Sequence, residues 1–548
     1  MRNWKLMLVL VVLLAVGLIF IGCGQNQEVQ EDDVKEEAVL VYNLGAEPEI
    51  LDPAPSTGVP EATVQTAIFE GLTRLDKDNL PSEGMAKSWD VSPDGLVYTF
   101  HLREDATWTN GDPVTAEDFV YSWKRLLSPE MAAEYAYQLW YVKNGEAYTN
   151  GEANADDVGI KALDEFTLEV TLEAPTPYFV SLASFPSLYP VNQKVVESDP
   201  DGWHLNMETL VGNGPFKIVS WEHNSKIEIV KNPDYWDADT VKLDKVVITL
   251  VESQDTELSM FEAGQIDIAE DPPITDARRL LDEGTATLYP ELGIYYYLIN
   301  TAKEPFDDVR VRKALALGID RQSIIDNVTQ RFEAPGTAVV PIGLPDAKPG
   351  DDFREIGGDY LKDNDVETAQ QLLAEAGFPG GEGFPEFTIL YNTHDNHQKI
   401  AEAIQEMWNK NLNINAKLTN QEWGVYLNTR KVGDYEVARA GWLADYVDAM
   451  TFLDMWMTGS GNNHTNWNDT EFDRLINVAK SDDNPDVRIK AMHDAEDILM
   501  DAMPIIPIYF YTNVNMYKPW VKDVYVPVVA SYQEFKWAYI DQDLKNSQ

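Results

Sequence analysis

Residues that commonly carry catalysis or bind metals are sparse in this sequence of 548 residues. It has no HExxH, GxSxG, GxxxxGK[ST] or GxGxxG motif, and its seven histidines are scattered. His394 and His397 stand three positions apart in a predicted loop. That spacing could hold a metal on a helical turn, but no third ligand is apparent. We therefore expect no catalytic residue, no metal and no cofactor. Carboxylate pairs for glycoside hydrolysis stay open, since 92 acidic residues make chance pairs common.

The single cysteine, Cys23, follows a short basic segment and an uncharged run from Leu6 to Ile21. The run is short for a membrane-spanning helix of about 20 residues and is typical of a secretory signal. Cys23 lies where a lipoprotein signal would place it, although Phe20 and Ile21 depart from the usual residues. We predict that residues 1–22 are a lipoprotein signal peptide, that Cys23 carries acyl chains such as palmitate, and that residues 23–38 form a flexible tether. An uncleaved signal anchor is the alternative.

Composition and charge restrict the class of protein. Hydrophobic residues make up 44% of the chain and aromatic residues 11%, which excludes disorder of the whole chain. The length predicts about three or four structural units. The formal net charge of −50 would repel phosphate backbones, so we expect no nucleic-acid partner.

Alternating strands and helices predict an α/β protein. Residues 96–103 alternate apolar and polar as in a half-buried strand, and Thr115 is the predicted N-cap of the next helix. A strand at 387–391, a helix around 400–408 and a strand at 414–418 predict a βαβ unit. No Pro-, Gly- or Ser-rich linker divides the body, which suggests that the chain passes more than once between its units.

Aromatic residues are dense near several predicted loops. In any one case a Trp or Tyr is most often part of the core, but together they could line a cleft for an organic ligand. The residues concerned are Trp423, Trp442, Trp456, Trp467 and the run Tyr295, Tyr296 and Tyr297.

From about Val39 to the C-terminus, the chain resembles the oligopeptide-binding proteins of ABC importers, the peptide/nickel class of solute-binding proteins (family 5). The resemblance covers nearly the whole body, and its segments are long and occur in the same order. The segments that carry it are 41–45, 49–53, 58–61, 98–103, 110–119, 307–312, 420–423 and 437–446.

This resemblance implies a two-lobed, periplasmic-binding-protein-like (type II) fold with three domains and a ligand cleft between the lobes. The implied domain I comprises residues 39–69, 193–292 and 513–548. Domain II comprises residues 70–192, and domain III, the second lobe, comprises residues 293–512. The resemblance also implies a monomeric receptor, not an enzyme, anchored by lipid to the extracytoplasmic face of a membrane. Such a receptor binds oligopeptides and delivers them to the permease subunits of an ABC transporter.

The resemblance also assigns roles to single residues. Asp445 matches the carboxylate that pairs with the α-ammonium of a peptide, because a charge buried in a closed cleft needs a fixed counterion. Arg439 and His397 match basic residues that meet peptide C-termini at different peptide lengths. The remaining matches are main-chain contacts at Val59, in a predicted turn, and at Gly441 and Leu443; pocket walls at Trp423 and Trp442; and ligand neighbours at Tyr296 and Tyr511.

Three departures from the family pattern bear on specificity. Thr57 replaces a Glu that contacts the ligand, and Thr329 replaces a Lys that serves one class of peptide C-terminus. Gly293 and Leu443 replace a cysteine pair. The same fold could instead bind a signalling or cell-wall peptide, a dipeptide, an oligosaccharide or a metal chelate. A surface hydrolase is a further alternative, but the sequence lacks a nucleophile or metal motif for one.

Overall fold

A computed structural model describes residues 37–207, 209–482, 484–529 and 532–547. The predicted signal peptide, Cys23 and most of the predicted tether lie outside the described residues. From Ala38 onward the chain forms one compact unit. An ion-pair network joins Arg74 to Glu70 and to Glu534, so the C-terminal segment packs against an early part of the chain.

The strands are short except for two of 13 residues each. In chain order they are β1 Val39–Asn43, β2 Thr73–Leu75, β3 Pro81–Glu83, β4 Ala86–Val91, β5 Val97–Leu102, β6 Ile160–Asp164, β7 Thr167–Thr171, β8 Phe216–Glu222, β9 Lys226–Lys231, β10 Lys245–Thr249, β11 Ile268–Glu270, β12 Thr287–Ile299, β13 Ala334–Pro335, β14 Phe387–Asn392, β15 Ala416–Gln421, β16 Val437–Leu443, β17 Ile505–Tyr517, β18 Val521–Lys522 and β19 Tyr539–Ile540.

The α-helices cover the sheets and connect their strands. They are α1 Val59–Ile68, α2 Ala116–Leu127, α3 Gly145–Thr149, α4 Phe179–Leu182, α5 Gln193–Ser198, α6 Gln254–Glu262, α7 Ile274–Asp282, α8 Val309–Leu317, α9 Arg321–Ile324, α10 Phe353–Gly357, α11 Val366–Glu375, α12 Asp395–Leu412, α13 Trp423–Lys431, α14 Thr470–Ser481, α15 Pro485–Ala502 and α16 Gln542–Asn546. Short 3₁₀ segments include Glu134–Leu139, Ala449–Phe452 and Asp454–Trp456.

One large mixed sheet runs through the protein in the order β15-β14-β16-β12-β17-β11-β1-β10-β9-β8, and β13 also pairs with β17. A separate sheet, in the order β4-β5-β7-β6, comes entirely from the stretch predicted as domain II. The long strands β12 and β17 pair with each other and connect the two halves of the large sheet. Their ladder is interrupted between Pro290 and Ile294, beside the predicted domain boundaries at 292/293 and 512/513.

Several local predictions are confirmed. In β5 the alternate residues Tyr98, Phe100 and Leu102 are buried. Thr115 is the N-cap of α2, and its N–H donates to the Asp118 carboxylate at 2.8 Å. Strands β14 and β15 are parallel and flank α12, which is the predicted βαβ unit.

Some predicted positions differ from the structure. His394 and His397 do not lie in a loop, because α12 begins at Asp395 and His394 is its N-cap. Val59 is the first residue of helix α1 rather than part of a turn. The strand predicted at 414–418 runs from Ala416 to Gln421, since the chain first turns through Asn413 with a positive φ of 54°. These shifts affect the ends of elements, where local sequence signals are weakest.

Candidate functional site

A cavity of about 410 Å³ lies against the large sheet and brings together every predicted ligand-contacting residue. Strands β12, β16 and β17 supply part of its wall, and helices α1, α12 and α13 present their first turns to it. The predicted residues lining it are Thr57, Val59, Tyr296, His397, Trp423, Arg439, Gly441, Trp442, Leu443, Asp445 and Tyr511.

Strand β16 exposes part of one backbone edge to this cavity. Its pairing with β12 extends from Val437 to Leu443, whereas its pairing with β14 ends at Ala438. The N–H of Ala444 donates to Leu292, and the N–H of Asn300 donates to the carbonyl of Glu436. The even-numbered residues of β16 therefore direct their backbone groups toward β12. The odd-numbered residues of β16 direct their backbone N–H and C=O groups away from β12.

Among the described residues, no strand pairs with the β16 edge beyond Ala438. The carbonyl of Arg439 accepts a hydrogen bond from the Tyr426 hydroxyl. The backbone groups of Gly441 and Leu443 are thus directed away from β12, and both residues line the cavity. Gly441 also permits a close approach, because a Cβ there would lie 2.5 Å from the Tyr511 hydroxyl oxygen. An unpaired edge of this kind is ready to accept an added strand.

Asp445 lies two residues beyond the end of β16, with only 6% of its surface exposed. Its carboxylate accepts a 2.6 Å hydrogen bond from Gln138, and its N–H donates to the Thr451 hydroxyl at 3.0 Å. Burial raises the pKa of Asp445 well above its usual range, and the nearby Asp454 carboxylate raises it further. No cation in the described part of the chain contributes to this shift, so a ligand ammonium would meet an acid without a counterion there.

Aromatic side chains pack around the same region. Trp442 lies with its ring centroid 5.9 Å from that of Tyr135, and Tyr296 contacts Trp456 edge to face at 5.8 Å. Trp423 stacks on Tyr426 at 6.0 Å. Trp442 and Tyr296 lie on strands, and Trp423 begins a helix. These rings supply broad apolar walls that do not require a particular side chain from the ligand.

Basic groups collect at another part of the cavity. Arg439 donates to the Tyr511 hydroxyl at 2.8 Å and lies over the Tyr295 ring, 4.8 Å from its centroid. The groups that favour its charge most are the phenols of Tyr511, Tyr295, Tyr426 and Tyr509. Arg439 is therefore a half-buried cation that a ligand carboxylate could pair with.

The two histidines lie beside Arg439, with ring centroids 4.4 Å apart. Nε2 of His394 is 3.2 Å from an oxygen of Asp271, and Nδ1 of His397 is 3.3 Å from the Tyr295 hydroxyl. Burial, followed by the positive charge of Arg439, lowers the pKa of His394 to about 3 and that of His397 well below its usual range. Both imidazoles are neutral at pH 7, so His397 would meet a carboxylate as a neutral donor.

The depressed histidine pKa values predict how stability depends on pH. The unfolded chain binds protons at these histidines below about pH 6.5, whereas the folded protein does not, so stability falls with acidification from pH 6.5 toward pH 3. We expect the free energy of unfolding of the double variant His394→Asn/His397→Asn to fall less steeply than that of the wild type between pH 6.5 and 4.5. The difference between the two slopes is up to about 2.7 kcal/mol per pH unit. Urea unfolding at several pH values measures this slope. His223→Asn, at an exposed histidine, is the control, and equal slopes in wild type and double variant would contradict the prediction.

The structure adds residues that sequence reasoning missed. Arg331 lines the cavity and pairs with Asp271, which also accepts from Gln254 at 2.8 Å. Arg331 stands two positions from Thr329, whose buried hydroxyl instead donates to Glu333 at 2.9 Å. A basic residue near the expected lysine position is the sequence signal that could have indicated it. Gly293 and Leu443, which replace a cysteine pair of some family members, are register partners on β12 and β16.

The described part of the chain shows neither a metal-binding cluster nor a membrane-spanning helix. No group of three or more His, Cys, Asp or Glu residues in that part is arranged to hold a metal ion. No helix in it combines the length and apolar character needed to cross a membrane.

Comparison with known proteins identifies the family. Residues 81–464 match the family model of bacterial extracellular solute-binding proteins, family 5. The chain is 40% identical over 536 residues to the dipeptide-binding protein DppE of Bacillus subtilis, covering 96% of this chain and 97% of the relative. It is 41% identical over 536 residues to the oligopeptide-binding protein OppA of the same organism, covering 95% and 96%.

Solved structures agree with this relationship. The Haemophilus influenzae OppA complex with the peptide RPPGFSPFR superimposes with a TM-score of 0.85 at 36% identity, covering 92% of this chain and 99% of that one. The two-lobed α/β type II fold predicted from the sequence is thereby confirmed. The chain belongs to the family 5 bacterial extracellular solute-binding proteins.

Proposed function

We propose that this protein binds oligopeptides in the cavity and delivers them to the permease of an ABC importer. The observation that carries the proposal is the open edge of β16, with the buried carboxyl group of Asp445 near one end and the guanidinium of Arg439, surrounded by phenols, toward the other. A zwitterionic peptide has complementary charges at its two termini.

In this proposal, the ligand backbone adds to β16 as a strand. The backbone groups of Gly441 and Leu443 pair with the peptide, and Val59 provides a further backbone contact. Asp445 binds the ammonium, while Arg439 or His397 meets the carboxylate. Asp445 lies six positions beyond Arg439, and an extended chain covers about 20 Å over that distance. After allowing for the reach of the two side chains, this span suits peptides of about three to five residues.

The names of the relatives support a peptide ligand without fixing its length. The two Bacillus subtilis relatives, named for dipeptides and for oligopeptides, are almost equally similar to this chain. A dipeptide receptor is therefore the second candidate. It is distinguished by titration with a series of peptides from two to six residues, because dipeptides cannot span from Asp445 to Arg439.

We also propose that the receptor is monomeric, not an enzyme, and attached to the extracytoplasmic membrane face through acylated Cys23. The predicted three domains would close on the ligand about β12 and β17. Metabolic labelling with palmitate tests the anchor, since the wild type should incorporate label and Cys23→Ser should not. Label in the variant would reject acylation at this residue.

Native mass spectrometry of freshly purified protein tests the peptide proposal. We expect bound masses that correspond to short peptides, and we expect added peptide to raise the melting temperature, because only the folded state binds. The same samples should contain intact peptide after incubation. Cleaved products would support a hydrolase instead, and the absence of both bound peptide and thermal stabilisation would reject peptide binding.

A further inference from the structure

Three side chains that line the cavity, Gln254, Glu257 and Glu270, are together called the acidic wall. Gln254 and Glu257 lie three positions apart on α6, so they share one face of that helix. Glu270 ends β11, beside β1 and β17. All three line the cavity, and Gln254 and Glu257 are only 3% and 6% exposed.

The hydrogen bonds of the acidic wall leave one buried acceptor, Oε1 of Gln254, unused. The N–H of Glu270 donates to Glu257 Oε1 at 3.1 Å, and the Tyr42 hydroxyl donates to the Glu270 carboxylate. Nε2 of Gln254 donates to both the backbone and the carboxylate of Asp271, which fixes the orientation of the amide. Oε1 of Gln254 is consequently an acceptor, and it is buried without a hydrogen-bond partner.

Among the described residues, no cation contributes to the ionisation of Glu257 or Glu270. The groups that act on their ionisation are burial, hydrogen-bond donors and other carboxylates. Burial raises the pKa of Glu257 to about 8 and that of Glu270 to about 7. The other titratable groups facing them are Tyr42, Tyr517 and Glu291.

Some other buried carboxylates of the described chain have a basic partner. Asp52 pairs with Arg125 at 2.5 Å, and Glu496 pairs with Arg354 at 2.7 Å. Glu257 and Glu270 differ from these structural pairs in two respects, since they lack a cation and they border the ligand cavity. A buried acid without a partner costs stability, so its position at a binding cavity points to a ligand that supplies the missing charge.

We propose that the acidic wall binds the basic side chain of a lysine or arginine in the peptide ligand. A lysine ammonium has three donors, and the wall offers three acceptor groups in two carboxylates and the Gln254 amide oxygen. This inference rests on the proposed function and adds to it a preference for peptides with a basic residue at one position. The competing explanation for these two glutamates is that they share a proton and bind no ligand cation.

Calorimetric titration with matched peptides tests the inference. The probes are tetra-alanine peptides in which one residue at a time is replaced by lysine or by norleucine, which has a similar chain without the amine. At one position we expect the lysine peptide to bind about tenfold or more tightly than its norleucine counterpart. Binding of that lysine peptide at pH 7.5 should also release protons, detected by comparing buffers of different ionisation enthalpy, because the cation favours ionised glutamates.

Substitutions in the cavity test whether the acidic wall causes the preference for the lysine peptide. In Glu257→Gln/Glu270→Gln we expect the lysine preference to fall to about twofold or less, while the affinity for the norleucine peptide changes less than about threefold. Glu252→Gln removes an exposed carboxylate that also lines the cavity, and it should retain the full preference. If the double variant does not fold, the lysine preference of Glu270→Gln alone is compared with that of the wild type.

The outcomes separate this inference from the proposed function. Equal binding of lysine and norleucine peptides at every position would overturn the inference, while leaving peptide binding established. A lysine preference that persists in the double variant would also overturn it, because the site would then lie elsewhere. Failure of every peptide to bind would overturn both proposals.

Discussion

Asp445→Asn is expected to weaken the binding of tri- to pentapeptides by about 1.5–4 kcal/mol, or roughly tenfold to several hundredfold. The change keeps the shape of the side chain and an oxygen that can accept from Gln138. It removes the negative charge, and the ligand ammonium would then be buried without a counterion. Calorimetry on peptide-free protein measures the effect, and unchanged affinity would reject the ammonium role of Asp445.

The stability of the empty variant separates lost binding from misfolding. Because the folded pKa of Asp445 is raised, ionisation of this residue opposes folding as the pH rises above the unfolded value of about 4. The Asn variant cannot ionise. Its empty form should therefore melt no lower than the wild type at pH 7, and a clearly lower melting temperature would undermine the interpretation of its affinity.

Capped ligands complete the test of Asp445. N-acetylated peptides carry no ammonium, so they should bind the wild type weakly and should bind Asp445→Asn with about the same affinity. The free peptides alone should distinguish the two proteins. A variant that loses affinity equally for free and capped peptides would place Asp445 in the structure of the cavity rather than in recognition of the N-terminus.

Local sequence patterns predicted much of the secondary structure. The alternation in β5, the N-cap at Thr115 and the βαβ unit around α12 depend on neighbouring residues, and the structure confirms them. The placing of the predicted contacts in one cavity came from resemblance rather than from periodicity. Residues such as Tyr296 and Asp445 are far apart in the chain, and nothing in their local spacing indicates that they meet.

The details that decide recognition depend on long-range geometry. The open edge of β16 exists because β14 stops pairing at Ala438, although both strands continue. The Gln138 amide reaches Asp445 across 307 positions of sequence. The description of His397 as a basic residue was also incomplete, because burial and the charge of Arg439 lower its pKa and keep the imidazole neutral. Sequence identifies which groups are present, whereas their charge and free hydrogen-bonding capacity follow from packing.

Arg439→Met is expected to weaken the binding of free-acid peptides by about 1.5–3 kcal/mol at the peptide length whose carboxylate reaches this guanidinium. Methionine retains an unbranched apolar chain that can pack on the Tyr295 ring, but it cannot pair with a carboxylate. Calorimetry with peptides of two to six residues, each as free acid and as C-terminal amide, measures the effect. The amides should lose little affinity, since they bring no charge to the site.

Arg430→Met provides the matched control for this prediction. Arg430 also lines the cavity, but it lies near the Glu134 carboxylate, so its charge already has a compensating partner within the protein. Its replacement should not produce a loss confined to free acids of one length. A length-dependent loss at Arg439 but not at Arg430 would assign carboxylate recognition to Arg439, because only a charge placed at one distance from Asp445 can select peptide length. An equal loss for acids and amides at every length would contradict that role and would leave Arg439 as a support for Tyr511.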